Sequence, residues 1–362
     1  MLVAIAACTK TDIKPNDDLA NALNPSSGAP IAFASQDAST KADGVTDVDA
    51  FNAVRAGGFK VWSWFQGTTA GAMFGENGTI VTDVNYVADL PEGQTQPAPN
   101  WTYSPVRYWL NGTYDFAAVY PSTASGTYRP AENSTTPVLT VENFDVTNQD
   151  DLLVAFNTGI DGSKGSENGP VDLTFQHALS CVQLKLSLDE DDFFEPAEDG
   201  GKRQVGYAYV SIVGFNNIAT TGSLYATKTT ASSIVWGSYG PMDTNDPSKP
   251  VGQMRLNYTD NPLQVTLQEQ YVFGNSGHLV LPQQFISDNA ELYMQVIIYP
   301  LGHAGEKITK EYHIPLSSGV PEWEPNKKYI YTGVLTQELV IDFSVTQIIN
   351  WRKDTLGGFI VN

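Results

Sequence analysis

The stretch "LTFQHALSCVQLKL" (residues 173–186) lies near the middle of the chain and changes its pattern halfway. Its first part has one alternating set of positions that would share a face of a strand: Leu173, Phe175, His177, Leu179 and Cys181. The apolar positions then move by one residue, to Val182, Leu184 and Leu186. Because a slip of one residue turns the side chains of a strand to its other face, we expect a bulge or a short helical turn within residues 178–181. The stretch is predicted to be the first strand of a second β-domain.

His177 and Cys181 raise the alternative of a thiolate nucleophile, which often has a histidine nearby. No Gly-rich turn and no oxyanion-hole pattern flanks them, and a cysteine on an apolar face behaves as a small hydrophobic residue. The remaining histidines, His278, His303 and His313, lack the spacing of a zinc site. We therefore predict no catalytic residue, no metal and no cofactor, and a chain that is not an enzyme. A pair of carboxylates suited to glycoside hydrolysis stays open as an alternative, since no local pattern favours one pair.

Composition indicates a β-rich protein with two domains. The chain has 362 residues, 41% of them hydrophobic and only 17% charged, with 17 Tyr, 16 Phe and 21 Pro. Its formal net charge of −20 opposes binding to nucleic acids and to anionic membrane surfaces. Seven Trp and the many Tyr could stack on sugars, although exposed aromatic residues on strands belong more often to cores or interfaces.

Short apolar stretches with turn residues between them recur along both halves, for example "FKVWSWF" (59–65), "WTYSPVRYWL" (101–110) and "ELYMQVIIYPL" (291–301). This spacing is typical of β-sandwiches, and no helix longer than about two turns is predicted. The Gly-, Ser- and Asn-rich residues 157–170 are the expected linker. The predicted organisation is a lipoprotein signal remnant and tether (1–29), an N-terminal β-sandwich (30–165) and a C-terminal β-sandwich (171–362).

The N-terminus ends an apolar run with "AIAAC", which resembles a bacterial lipobox and makes Cys8 the predicted lipidated residue. The polar, Pro- and Asn-rich residues that follow have the composition of a tether. The apolar run is too short for an export signal and has no basic residues before it, which indicates a truncated signal. The alternative is a short apolar N-terminus with a chance cysteine.

Five segments, in order, resemble conserved segments of the Bacteroidales fimbrillins: "PVRYWLNGTYDFAAVYPS" (105–122), "QDDLLVAF" (149–156), "LTFQHALSCVQLKL" (173–186), "HLVLPQ" (278–283) and "WEPNKKYIYTGVL" (323–335). With the lipobox, the resemblance covers almost the whole chain. It implies a lipoprotein precursor of a type V pilus, built of two transthyretin-like β-sandwich domains in tandem and exported to the outer membrane. It also implies that an arginine- or trypsin-type protease removes the first strand and that a strand from a neighbouring subunit replaces it.

The resemblance can be placed on particular residues. The strand to be displaced is "PIAFASQD" (30–37), with Ile31 and Phe33 on one face and Ala32 and Ala34 on the other. The loop after it offers Lys41 and Arg55 for cleavage; the implied protease type and the following Gly pair favour Arg55, and the alternative is a plain loop cation. An unpaired edge and an apolar groove would remain, which strand addition would cover.

The C-terminal tail is the predicted donor. Its alternating apolar residues fall in two groups: Leu339, Ile341, Phe343 and Val345, and then Phe359 and Val361 after the Gly357–Gly358 pair. The alternative is that these residues form the last strands of the chain's own second domain.

Two functions are compatible with these observations. The first is a structural subunit of a cell-surface fimbria, with other pilus subunits, the processing protease and, through lipid on Cys8, the outer membrane as partners. The second is a surface lipoprotein that binds a host or bacterial glycan or protein, including the case of a tip adhesin. Stalk, anchor and tip roles all stay open.

Overall fold

The computed structural model describes residues 28–34, 48–67, 70–129, 137–228, 232–274, 276–285, 289–300, 307–336 and 341–350. Cys8, Lys41, Leu339, Phe359 and Val361 lie outside the described residues. The described part confirms the all-β class. None of its helices is long and apolar enough to cross a membrane.

In chain order, the described strands are β1 Phe33–Ala34, β2 Phe59–Gln66, β3 Ala70–Ala72, β4 Thr79–Asp83, β5 Trp101–Thr102, β6 Thr113–Tyr120, β7 Gly126–Arg129, β8 Val138–Asp145, β9 Leu153–Asp161, β10 Val171–Asp172, β11 Gln176–His177, β12 Ser180–Leu188, β13 Phe194–Pro196, β14 Lys202–Gln204, β15 Gly206–Ile218, β16 Thr221–Lys228, β17 Ser232–Gly240, β18 Gly252–Asn257, β19 Leu263–Val265, β20 Gln270–Tyr271, β21 His278–Val280, β22 Gln283–Gln284, β23 Glu291–Pro300, β24 Ile308–Pro315, β25 Glu322–Trp323, β26 Lys327–Leu335 and β27 Ile341–Asn350. The helices are α1 Val48–Gly57 and α2 Glu190–Phe193, with 3-10 turns at Val146–Asn148, Gly162–Asn168 and Leu316–Ser318.

A seven-stranded sheet organises the first part of the chain, in the order β11-β9-β6-β2-β4-β5 with β3 also paired to β2. Alternation along β6 directs Tyr114, Phe116 and Ala118 to one face, and Ala117 and Val119 to the other, and all five are fully buried. The sheet is therefore covered on both faces. One face belongs to a small core made of Ile31, Phe33, Val54, Phe59, Val61, Phe65, Met73, Phe74, Val81, Trp109, Tyr114, Phe116, Ala118, Leu153, Ala155, Val171, Leu173 and Phe175.

The second face of this sheet packs into a large core that continues through the rest of the molecule. A four-stranded sheet in the order β17-β16-β8-β7 contributes Leu139, Val141, Leu224 and Ala226 to that core. This sheet combines β7 and β8 from the predicted first domain with β16 and β17 from the predicted second one. The predicted tandem sandwiches therefore share a sheet.

Two five-stranded sheets complete the second part of the chain, β20-β12-β26-β27 with β21 on β12, and β18-β15-β23-β24 with β19 on β15. Strand β12 runs parallel to β26 over eight residue pairs, from Cys181–Lys328 to Leu188–Leu335. Both sheets direct apolar side chains such as Leu184, Val210 and Met294 into the large core. Three two-stranded ribbons, β1-β10, β13-β14 and β22-β25, complete the sheets of the described residues.

Four sequence predictions about local structure are wrong. Residues 173–186 contain neither a bulge nor a helical turn. Instead, strand β11 ends at His177 and strand β12 begins at Ser180. Strand β11 pairs with β9 of the seven-stranded sheet, so the start of the stretch lies with the first part of the chain. The expected linker is occupied by the end of β9 and a 3-10 turn, and α1, at 10 residues, is longer than any helix expected.

Candidate functional site

The N-terminal segment, residues 28–34, is hydrogen-bonded on both of its edges. On one edge the Ile31 amide donates to the Arg107 carbonyl at 2.8 Å, and the Trp109 amide donates to the Ala29 carbonyl at 3.0 Å. On the other edge the amides of Val171 and Leu173 donate to the carbonyls of Ala32 and Ala34 at 2.7 and 3.1 Å. The segment therefore lies as a strand between residues 107–109 and residues 171–173, with β1 parallel to β10.

The segment alternates buried and exposed positions, as a strand on a core does. Ile31 and Phe33 are buried, whereas Pro30 and Ala32 are exposed. Phe33 lies at the centre of an aromatic cluster, with ring-centroid distances of 5.5–6.0 Å to four neighbours: Phe59, Phe74, Tyr103 and Phe116. Ile31 and Phe33, which the sequence placed on one face of the strand, therefore both face the small core.

Tyr103 adds a side-chain contact to the segment that the sequence did not reveal. Its hydroxyl donates to the Ile31 carbonyl at 2.7 Å. Burial raises the pKa of Tyr103 to about 12, so the hydroxyl keeps its proton near neutral pH and stays a donor. With the amides of Trp109, Val171 and Leu173, it forms a set of donors that all point at the backbone of the segment.

Arg55 does not lie in a loop, so that part of the prediction is wrong. It occupies the last turn of α1, is buried, and its Nε lies 2.5 Å from the Asp83 carboxylate. Its Nη2 also donates to the Pro97 carbonyl at 2.7 Å. Burial alone would raise the pKa of Asp83, but hydrogen bonds from the Asn100 amide and from Arg55 outweigh it and lower the pKa. In this conformation Arg55 serves as a structural cation.

Three donor candidates of the first group, Ile341, Phe343 and Val345, are already paired inside the chain. Strand β27 lies antiparallel to β26, with Ile341 opposite Leu335, Phe343 opposite Gly333, and Val345 opposite Tyr331. This arrangement is the alternative that the sequence left open for those residues.

The cysteine and histidine of the central stretch are separated by the structure. The buried Cys181 thiol donates to the Ser276 carbonyl at 3.3 Å. The His177 ring, on β11, lies with Nδ1 2.7 Å from the Asp151 carboxylate. Among the described residues, no three His, Cys, Asp or Glu side chains are grouped so that they could hold a metal ion.

Comparison with known proteins agrees with this architecture. A family model described as fimbrillin-like matches residues 52–351. The chain belongs to the fimbrillin-like family. A search of curated proteins gave no match for this fimbrillin-like chain.

Among solved structures, the fimbrillin-like chain is similar to a fimbrial protein from Bacteroides vulgatus, with 12% identity, a TM-score of 0.50, and coverage of 89% of this chain and 99% of that chain. It is also similar to the fimbrial anchor protein Mfa2 from Porphyromonas gingivalis, with 12% identity, a TM-score of 0.31, and coverage of 89% of this chain and 96% of that chain. The first similarity shows a common fold.

Proposed function

We propose that this chain is a structural subunit of a cell-surface type V pilus that polymerises by strand exchange after its N-terminal segment has been removed. The supporting observation is the placement of residues 28–34, which are bound on both edges and bury Ile31 and Phe33 in the small core. A strand held in this way can be replaced by another strand without rearranging its neighbours.

Removal of the segment would leave a groove with a defined chemistry. The amides of Trp109, Val171 and Leu173 and the Tyr103 hydroxyl would lose their acceptors, and the cluster around Phe33 would lose its central ring. Buried donors without partners and an empty apolar site are both costly, so the groove would favour a new strand with the same spacing of side chains.

We propose residues around Phe359 and Val361 as that strand. Their spacing of two residues equals that of Ile31 and Phe33, so both would point to one face of a strand. The residues Ile341, Phe343 and Val345 are less suited, because β27 already pairs with β26 in the same subunit.

Processing and anchoring complete the proposal. Lipid on Cys8 would hold the precursor at the outer membrane until a protease cuts at Lys41 or Arg55. Cleavage at these two positions would require different changes in the folded chain. Cleavage after Arg55 would require α1 to open and the Asp83 contact to break, whereas Lys41 precedes α1 in the chain.

The decisive experiment is mass spectrometry of the mature N-terminus in purified fibres, which we expect to lack residues 28–34. Deleting residues 357–362 is expected to block polymerisation while the monomer still folds, with a deletion of residues 14–20 in the tether as the control of similar length. Fibres whose subunits all retain residues 28–34 would contradict the proposal.

A second candidate function, a surface protein that binds glycans, is favoured by one observation. Several tyrosines lie partly exposed around an open hollow on the outer face of the β15–β23 sheet. Aromatic rings that are accessible on a rigid sheet are suited to recognition rather than to folding alone.

A further inference from the structure

We infer that the outer face of the β18-β15-β23-β24 sheet carries a binding site for a neutral oligosaccharide, centred on Tyr207, Tyr209 and Tyr299. The inference rests on the second candidate function for its biological role, and it is independent of strand exchange. The site can be present in a stalk, anchor or tip subunit.

The site is a hollow of about 390 Å³ lined by Tyr207, Tyr209, Pro262, Ile297 and Tyr299. Small-molecule sites typically have volumes of roughly 300–1,000 Å³, so the hollow can hold a small ligand or one unit of a chain. Its tyrosines come from two paired strands, with Tyr207 opposite Tyr299 and Tyr209 opposite Ile297. Four of the five lining residues therefore belong to paired strands, and Pro262 lines the hollow from the connection before β19.

The rings are arranged as a surface and not as a core. Tyr299 is 41% exposed, and its ring packs edge to face against that of Tyr209 with centroids 5.8 Å apart. The adjoining residues Ala208, Val210, Val296 and Ile298 take the core positions on the opposite face of the same strands. None of the three tyrosine hydroxyls has a hydrogen bond to a described residue. Ring faces and phenolic hydroxyls together suit a sugar, whose C–H faces pack on aromatic rings and whose hydroxyls accept and donate hydrogen bonds.

Polar side chains continue the same face along β23. Gln295 lies two residues before Ile297, so its side chain is on the same side of the sheet. Its Nε2 donates to Glu311 at 3.3 Å, and its Oε1 accepts from the Ser211 hydroxyl at 2.8 Å. An amide and a carboxylate held side by side offer donors and acceptors to neighbouring sugar hydroxyls.

Charge favours a neutral ligand. No lining residue of the hollow is charged, and the formal net charge of the chain is −20. Anionic polysaccharides would be repelled at long range. Extended peptides cannot add to this sheet as a strand here, because β15 and β23 are each paired on both sides.

A larger cleft of about 500 Å³, between β17 and the β22-β25 ribbon, is less suited to sugar stacking. Its two tryptophans, Trp236 and Trp323, are buried, and their ring nitrogens donate to the Ala178 carbonyl and the Tyr331 hydroxyl. Of its other aromatic residues, Phe285 is buried as well, and the Tyr239 hydroxyl already donates to the Pro282 carbonyl. Buried rings of this kind offer little face for a sugar to stack on. The tyrosine hollow is therefore the better candidate.

The test is calorimetric titration of the purified, unpolymerised full chain with defined probes: cellohexaose, mannohexaose, chitohexaose, heparin and a proline-rich decapeptide. We expect at least one neutral oligosaccharide to bind. The variants Tyr209→Ala and Tyr299→Ala are each expected to weaken that binding at least about tenfold. The variants Tyr209→Phe and Tyr299→Phe keep the ring, so their affinity for the oligosaccharide should fall by about threefold or less. Tyr225→Ala is the matched control, since Tyr225 is also 41% exposed but lies on β16, in the four-stranded sheet. The affinity of this variant for the oligosaccharide should stay within about twofold of that of the unchanged chain.

Thermal unfolding of each variant identifies any that fails to fold. If Tyr209→Ala fails to fold, Tyr299→Ala decides the test, because Tyr299 is at an exposed position. Absence of binding to all three neutral probes would overturn the inference, and so would binding to heparin or the peptide alone. An equal loss in Tyr225→Ala would also overturn it. Fibre assembly by the Tyr299→Ala variant should be unchanged, so failure of this inference and failure of strand exchange give different results.

Discussion

Replacing Phe33 with alanine should release the N-terminal segment without unfolding the rest of the chain. The side chain is 5% exposed and contacts four aromatic rings, so its loss leaves a cavity in the small core. Substitutions of buried Phe by Ala typically cost about 3–5 kcal/mol. Because about 1.4 kcal/mol is a factor of ten, the population with a released segment should rise roughly 10²- to 10⁴-fold.

Hydrogen exchange can measure this release from outside the segment. The amides of Trp109, Val171 and Leu173 donate to carbonyls of residues 29–34, so their protection reports whether the segment is in place. In Phe33→Ala the protection of these three amides should fall by roughly the same 10²–10⁴ factor, while the Val272 amide, which donates to the Leu184 carbonyl, should change much less.

Phe285→Ala is the matched control for general destabilisation. Phe285 is also buried, at 8% exposure, but it packs on Trp323 in the large core, with ring centroids 4.9 Å apart. It should lower the global free energy of unfolding by a similar amount and leave the protection of Val171 and Leu173 unchanged. If the two variants affect these amides equally, the segment is not a separable unit and the reasoning fails.

Three further predictions concern buried polar groups. Asp83→Asn should lower the free energy of unfolding by about 3–5 kcal/mol, because it removes the carboxylate that pairs with the buried Arg55 guanidinium. Glu195→Gln, in an exposed pair, should change it by about 0.5 kcal/mol or less. Urea titration measures both changes, and equal effects would contradict the role of the buried pair. Burial lowers the pKa of His278 to about 4, so the unfolded chain takes up a proton at a higher pH than the folded chain does. The free energy of unfolding should therefore fall by roughly 3 kcal/mol as the pH falls from about 6.5 to 4. His278→Gln should show a smaller dependence of the free energy of unfolding on pH, and an unchanged dependence would argue against this role. The Cys181 thiol should react with a soluble disulfide reagent only after unfolding, since it is fully buried, and rapid labelling of the native chain would refute its placement.

Local patterns in the sequence predicted strands well where core-facing apolar residues stand at every second position. The stretch 59–65 became β2, because Phe59, Val61 and Phe65 alternate toward one core. The stretch 101–110 did not become one strand; only Trp101–Thr102 is assigned, and residues 107–109 instead pair with the N-terminal segment. Pro105 lies between these parts and has no backbone N–H to donate to a neighbouring strand, so it interrupts the strand pattern.

The α1 helix was missed because residues 38–58 were interpreted by their low hydrophobicity. Val48, Phe51 and Val54 recur at a spacing of three, which is the signal of a helix with one apolar face. The consequence was an incorrect environment for Arg55. A basic residue in a polar sequence looks exposed until the position of Asp83, 28 residues later, is known.

The sheet shared by both parts of the chain could not be predicted from local patterns. Strand β8 has an alternating pattern that fits a neighbour on either side, and nothing in residues 138–145 identifies β16 as its partner. The groove that holds residues 28–34 could not be predicted from local patterns either. Ile31 and Phe33 indicate a strand, but the hydrogen-bonding partners at 107–109 and 171–173 come from distant parts of the chain.

The shared sheet also imposes an order in time on the making of the protein. The Asn143 amide on β8 donates to the Ser223 hydroxyl, 80 residues further along the chain, so β8 cannot be covered until that residue has been made. At about 5–20 residues per second, a ribosome would need roughly 4–16 s to reach it. During that interval the β7–β8 hairpin presents an uncovered edge to other nascent chains. A chain that ends before Ser223 leaves this edge of β8 without its β16 partner.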